Sequence, residues 1–379
     1  MNKSLLTGCA AAAALSFALC NSAQADTTVK IGHVAPLTGG SAHQGKDNEN
    51  GARLAIEEIN AKGLVIGGQK VTLALDPQDD AGDPRQATQV AQKLVDDKVV
   101  AVVGHETSGT SIPASKIYSD AGIVQISPSA TNPKYTLQGF KTTYRVVATD
   151  AQQGPALANY AASDLHVKKV AIVDDSTAYG QGLAQEFEKA AKAAGLNVVS
   201  HDATNDKAVD FRAILTKIKG ENPDAIMVGA MDATGGPFAK QAKQLGLRAK
   251  ILAGDGVCTA NIVDLAGPAA DNIVCSQAGI GLDQMKGGSD FAAKYKHRYN
   301  QDVVLYSPYT YDAVYIVVDA MKRANSIDPA KILAAMPTTD HKGVIGETTF
   351  DAKGDLKHGV ISIYGYKEGK RTFINKVSM

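Results

Sequence analysis

The sequence predicts an α/β protein of two Rossmann-like lobes, each with a parallel-sheet core. Three observations carry that expectation. Strand and helix patterns alternate from Asp26 to about Leu265, the alternation restarts after Val146, and 379 residues are long for one core but comfortable for two domains. Strands separated by helices of this length imply parallel βαβ units.

In the first run, Val29 to Val34 is a short apolar strand. Ala52, Ala55, Ile56 and Ile59 then recur at helical spacing, with Gly63 placed to close the helix. Val71 to Leu75 is a second strand, and Asp83-Pro84 reads as an N-cap followed by proline at the first helical position, opening a helix through Leu94. Val99 to Val103, Ile117 to Gly122 and Ile123 to Ile126 continue the rhythm. In the second run a helix from about Ala151 leads to the strand Val170 to Val173, and Leu183, Phe187, Ala190 and Ala194 mark the face of the next helix. Val198-Val199, Ala225 to Val228 and Ile251-Leu252 read as strands. The helices between them carry Phe211, Ile214, Leu215 and Ile218, then Phe238 to Leu245. In the tail, Tyr309 to Met321 is an apolar helix, and Val360 to Tyr366 followed by Lys367-Glu368-Gly369 reads as a β-hairpin. This does not make a third domain, so the tail must pack onto the lobes and the chain must cross between them more than once.

Lys3, the alanine-rich apolar stretch Leu5 to Cys20 and Ala23-Gln24-Ala25 read together as a signal peptide, residues 1–25, cleaved near Ala25. The stretch is too short for a membrane span, and nothing later approaches the roughly 18 apolar residues that one requires. Leu6-Thr7-Gly8-Cys9 resembles a lipoprotein cleavage box, but the apolar run follows it instead of preceding it. The mature chain is expected to begin near Asp26 and to be soluble in the periplasm.

Lysine and arginine number 39, against 39 aspartates and glutamates. With no basic run, that balance leaves no electrostatic footprint for nucleic acid. Of the four cysteines, Cys9 and Cys20 leave with the leader. Cys258 and Cys275 remain in an oxidising compartment, where a closely spaced pair favours a disulfide over two buried thiols.

Catalytic patterns are poor: there is no G-x-S-x-G elbow, Walker loop, C-x-x-C or H-E-x-x-H. Gly180-Gln181-Gly182 lacks the third glycine of a dinucleotide loop and reads as a helix start. His105 near Ser108 shows no third group to orient a base. The eight histidines are scattered without metal spacing, so no metal and no cofactor is expected. Two segments remain informative, Gly104 to Pro113 and Ile126 to Pro133, each directly after a strand and rich in Ser and Thr. Open parallel sheets take ligands outside the carboxyl ends of their strands, and a helix N-terminus suits a carboxylate. Those hydroxyls also serve as ordinary helix caps, and the residues alone weigh the two readings equally.

At these loops the sequence resembles the leucine/isoleucine/valine-binding proteins, the type I periplasmic binding proteins of branched-chain amino-acid ABC uptake systems. The resemblance runs through Gly32-His33-Val34-Ala35-Pro36-Leu37-Thr38-Gly39, Asp79-Asp80-Ala81-Gly82-Asp83-Pro84, Gly104-His105 and Ser127-Pro128-Ser129-Ala130-Thr131. It continues through Ala171 to Gly182, Gly254-Asp255-Gly256-Val257 and Asp351-Ala352-Lys353-Gly354-Asp355-Leu356. It implies two lobes joined by three crossovers, with 26–149 and 279–357 in the first lobe and 150–278 and 358–379 in the second. It also implies a monomer that hands a free amino acid to an inner-membrane ABC permease. On the ligand, Ser108 and Thr131 would hold the carboxylate, and Ser129 would offer its carbonyl to the ammonium beside Ala130. Asp255 would pair with that ammonium, Tyr179 would cover the ligand, and Tyr306 completes the set. Charge-assisted hydrogen bonds at both ends of a zwitterion fix its orientation and offset desolvation.

The chain departs from that pattern at the side-chain end. Gly82 and Thr107 replace the family's cysteines, Glu106 replaces an apolar residue beside the ligand side chain, and Met231 and Gln44 replace aromatics. An unpaired glutamate facing an aliphatic side chain is unfavourable. Either Glu106 points to solvent or the ligand is polar. The expectation is a branched-chain amino acid. The alternative is a polar, cationic or amide ligand, bound by a transport receptor or a periplasmic sensor.

Overall fold

The computed structural model describes residues 27–378; the expected signal peptide, its expected cleavage point near Ala25, Cys9 and Cys20 lie outside the described residues. Strand β1 (Thr27–Ala35) is buried throughout its last five residues, as a central strand covered on both faces must be. Helix α1 (Ala42–Lys62) ends where expected, at Gly63 with a φ of 77°. Strand β2 (Leu64–Ile66) then turns back antiparallel onto β3 (Gln69–Asp79). β3 runs past Leu75 because Pro77 lies beyond the residues that β2 pairs with, on an open edge where its missing N–H breaks no ladder. Helix α2 (Pro84–Asp96) starts on the expected cap, the Asp83 carboxylate accepting from the N–H groups of Arg85 and Gln86. β4 (Ala101–Gly104), α3 (Ser108–Asp120), β5 (Val124–Ser127), α4 (Lys134–Leu137) and β6 (Thr143–Arg145) complete a sheet ordered β2-β3-β1-β4-β5-β6.

The second run builds α5 (Asp150–Ser163), β7 (Lys169–Asp174), α6 (Ala178–Ala193), β8 (Asn197–Ala203) and α7 (Arg212–Glu221). It continues through β9 (Ala225–Gly229), α8 (Asp232–Gln244), β10 (Lys250–Ala253), α9 (Ile262–Ala266) and β11 (Ile273–Gln277). The chain then returns through α10 (Gly288–Tyr299), α11 (Ser307–Ala324), α12 (Pro329–Ala335) and the small hairpin β12 (His341–Gly343) and β13 (Gly346–Thr348). Finally β14 (Val360–Lys367) adds antiparallel to β11 and β15 (Lys370–Ser378) antiparallel to β14, giving the order β15-β14-β11-β10-β9-β7-β8.

The tail therefore packs onto both lobes, as its composition required. Apolar α11 lies against α1 on one face of the first sheet. Leu94, Ala114 and Tyr118 of α2 and α3 cover the other face, against Val34 and Val102. Phe211, Phe238 and Ile251 centre the second core. The chain passes between the sheets three times, after β6, after β11 and before β14. The first two passages are tied together by Ala148 N–H donating to the Ala278 carbonyl at 2.9 Å, and the third touches the first where Arg145 N–H donates to the Gly354 carbonyl at 3.0 Å. Cys258, just beyond β10, is bonded to Cys275 in β11, with their Cα atoms 5.4 Å apart. Strands β2, β6, β12 and β13 were not foreseen: three residues each are too few to show a period.

Candidate functional site

In both sheets the chain order reverses about one strand: β1 stands between β3 and β4, and β7 between β8 and β9. Loops leaving the carboxyl ends of strands beside such a point converge on a crevice. Here the loops after β4 and β5 face those after β7, β9 and β10. With the start of α11 they surround a small cavity lined by Glu106, Thr107, Ser108, Ser129, Tyr179, Met231, Asp255 and Tyr306. Gln44, Ala130 and Thr131, also expected at the site, stand outside that lining.

The loop after β4 begins at Gly104, whose φ of 141° and whose approach to the Val34 carbonyl, 2.5 Å from where a Cβ would sit, only glycine allows. His105 is then turned away from the cavity. Its ring is buried between Asp80 Oδ2 at 2.8 Å and the Tyr118 hydroxyl at 3.1 Å. Ser108, at the first turn of α3, instead accepts from Asn132 N–H at 3.1 Å. The two residues therefore form no nucleophile and base. The β4 and β5 loops are tied together: Ser127 Oγ donates to the His105 carbonyl at 2.7 Å, and Ser129 Oγ to the Glu106 carbonyl at 2.8 Å.

Arg145, absent from the sequence-based set, anchors the second of these loops from below. Fully buried, it donates to the carbonyls of Ala130 at 2.6 Å and Asn132 at 3.1 Å, to Thr136 Oγ1 at 2.9 Å, and to Asp355 Oδ1 at 2.6 Å. Asp355 belongs to the Asp351-to-Leu356 motif, so that motif serves the loop. Ala130 spends its carbonyl on Arg145, and Thr131 is buried beside Asp150, whose N–H it accepts at 2.9 Å.

Across the cavity, Asp255 opens the turn after β10. Its Oδ1 accepts from Gln153 Nε2 at 2.8 Å and from the Tyr179 hydroxyl at 3.0 Å, and its Oδ2 from the Tyr306 hydroxyl at 2.5 Å. Burial raises its pKa above the usual carboxylate range, and the hydrogen bonds from Tyr306, Gln153 and Tyr179 pull it back. Each donor is itself fixed. Tyr179 sits in the first turn of α6, capped by Thr177, and accepts from Gly256 N–H at 3.0 Å. Gln153 accepts from Ser276 Oγ at 2.7 Å. Tyr306 is placed by the Asp47 carboxylate, which takes the N–H groups of Val304, Leu305, Tyr306 and Ser307. Asp150, also unforeseen, is buried nearby, and burial and the Asp255 charge raise its pKa well above the ordinary value.

Glu106 faces the cavity and not solvent: it is 2% exposed. Its Oε2 accepts from Asn48 Nδ2 at 3.0 Å, while Oε1 finds no hydrogen-bond partner among the described residues. Burial and then the Asp80 charge raise its pKa well above the ordinary value.

The lobes meet around the cavity. Gln44 Nε2 donates to Asp232 Oδ1 at 3.0 Å and to the Gly256 carbonyl at 3.3 Å, His43 Nε2 lies 2.8 Å from Asp232 Oδ2, and Asn132 Nδ2 donates to the Ala178 carbonyl at 2.6 Å. Gln44 is thus a bridge between lobes and not part of the cavity wall.

A cavity shut between two α/β lobes, with hydroxyls on one wall and a polarised carboxylate on the other, defines a receptor for a small polar solute. The periplasmic binding protein family model matches residues 28–368, and the chain belongs to that family of solute-binding proteins, not enzymes. It is similar to Leu/Ile/Val-binding protein homolog 1 of Brucella melitensis, 35% identical over 372 residues that cover 97% of each chain. Among solved structures it is similar to the leucine-binding protein of Thermotoga maritima, with a TM-score of 0.85 and 28% identity over 92% of this chain and 98% of that one. It is likewise similar to a branched-chain amino acid transporter substrate-binding protein of Streptococcus pneumoniae in complex with isoleucine. There the TM-score is 0.84 and the identity 30%, over 93% of this chain and 99% of that one.

Proposed function

We propose that the protein captures a free α-amino acid with a short, branched side chain in the periplasm and delivers it, as the solute-binding component of an ABC transporter, to an inner-membrane permease. The observation that carries this reading is the Asp255 carboxylate, held by Tyr179, Gln153 and Tyr306 across a small cavity from Ser108. A zwitterion presents opposite charges at one end, and the wall answers each. The ammonium pairs with Asp255 and meets the Ser129 carbonyl, while the carboxylate takes the Ser108 hydroxyl, Thr131 and the first N–H groups of α3, which have no partner within the helix. Met231 and Thr107 border the side chain, Tyr306 closes over it, and Gln44 clasps the lobes outside the cavity. The relatives named for leucine, isoleucine and valine support the branched-chain class.

The lobes, 26–149 with 279–357 and 150–278 with 358–379, close on the ligand by bending at the three passages, and the closed monomer docks on the permease. The leader is removed near Ala25, a point that the intact mass of exported protein measures.

Calorimetric titration with the twenty common amino acids tests the reading. Binding of a branched-chain amino acid tighter than about 100 μM, within the range of specific small-ligand affinities, is the expected result. No binding by any amino acid overturns it. The protein has no tryptophan, so tyrosine emission is the optical signal.

A further inference from the structure

The wall that faces the ligand side chain contains an acid that its own protein does not satisfy. Asn48 is committed on both sides: its Oδ1 accepts from Thr310 Oγ1 at 2.6 Å, which leaves its amide nitrogen to donate to Glu106 Oε2 at 3.0 Å and to the Gln44 carbonyl at 3.3 Å. This fixes which carboxyl oxygen is engaged and leaves Oε1 without a partner in a cavity from which solvent is nearly excluded. A buried polar atom left unpaired loses its hydration with nothing in return. Opposite an aliphatic side chain that penalty would stay in the complex.

We propose that Glu106 sets the specificity of this site: the preferred ligand carries a hydroxyl or primary amide on its side chain, where valine or leucine carries a methyl, and Glu106 Oε1 bonds to it. The inference rests on the reading that the cleft binds a free amino acid. It keeps the branched shape of the side chain and changes its chemistry. Two observations favour a neutral group over a cation. The cavity is small and its polar wall residues Glu106, Ser108 and Asp255 are almost fully buried, which suits a short side chain and leaves little room for a long cationic one. Burial and the Asp80 charge hold Glu106 towards its protonated form, and a neutral carboxyl both donates and accepts, as a hydroxyl or an amide does.

Matched pairs of near-equal shape test this on the full mature protein by calorimetry: threonine against valine, and asparagine against leucine. The expected result is that the polar member binds about tenfold or more tightly in at least the threonine–valine pair, since a site built to hydrogen-bond its substrate rejects the analogue that lacks the group. Glu106→Leu should reverse the order, and Glu106→Gln, whose amide also donates and accepts, should keep it. The thermal midpoint of each variant shows that it is folded, and the native pairs stand alone if a variant is not. Valine binding as tightly as threonine, with leucine as tight as asparagine, overturns the inference while leaving the amino-acid reading intact. Lysine or ornithine binding above all four also overturns it, in favour of an ion pair at Glu106. Failure of every amino acid to bind folded native protein removes the underlying reading, and the inference with it.

Discussion

The hydroxyl of Tyr306, at the start of α11, lies 2.5 Å from Oδ2 of Asp255, at the end of β10 on the opposite lobe. One contact therefore both polarises the acid of the site and spans the two lobes. Tyr306→Phe is expected to loosen closure and weaken amino-acid binding severalfold, in keeping with one charge-assisted hydrogen bond. Titration calorimetry reads the effect.

Asp255→Asn and Ser108→Ala remove one group from each end of the zwitterion site. Each should weaken binding by about 1–3 kcal/mol without lowering the thermal midpoint of the ligand-free protein by a comparable amount. If neither variant changes affinity, the ligand does not lie between these residues.

His43 bridges to Asp232 across the cleft. Burial works against a charge on its ring, but the hydrogen bond and charge of Asp232 outweigh that, and the pKa lies above the ordinary 6.5. With the lobes apart the ring loses this partner and returns towards 6.5. The stabilisation of the closed form is then complete below the ordinary value and is lost as pH rises through the raised one. Affinity measured from about pH 5 to about pH 9, across the range in which histidine titrates, should show the native protein's advantage over His43→Gln shrinking as pH rises. A difference that is constant with pH would mean that the charge plays no part.

Arg145→Met strips the support from Ala130, Asn132 and Thr136 and leaves Asp355 without its counter-ion, held only by the Thr136 hydroxyl among side chains. Breaking a buried ion pair from one side destabilises by about 3–5 kcal/mol, and urea denaturation measures that loss. The side chain of Asp355 is 19% exposed, so Asp355→Asn should be the milder of the two.

The bond between Cys258 and Cys275 spans 17 positions. Cys258→Ser with Cys275→Ser should destabilise by about 3 kcal/mol. Reductant should shift the native protein's denaturation midpoint and leave the double variant's midpoint unchanged.

What the sequence revealed follows the range of each interaction. Asp83 and Pro84 were readable because a cap and its partners lie within three positions. The long helix α11 was readable because its apolar face repeats. Ser108 and Ser129 stand in loops that follow strands, where topology offers them as candidates no more strongly than as helix caps, and Asp255 is marked only by the family resemblance. Arg145 was invisible because its counter-ion lies 210 positions away, and β2, β6, β12 and β13 because three residues show no rhythm. The orientation of Glu106 depended on Asn48, 58 positions earlier, so the sequence posed the question of where it points and only the fold answered it. Gln44 read as part of the binding wall, but Asp232 and Gly256, on the other lobe, hold it as a clasp.

The three passages also constrain how such a chain is made. The first sheet has only α1 on one face until α11 is available, and the second lacks its edge until β14 and β15, which follow all its other strands in the chain. Neither lobe corresponds to a continuous stretch of message, so neither can finish folding while the ribosome is still on the other. A polypeptide laid out in this way stays incomplete until β15 emerges, an order that suits a protein of the periplasm.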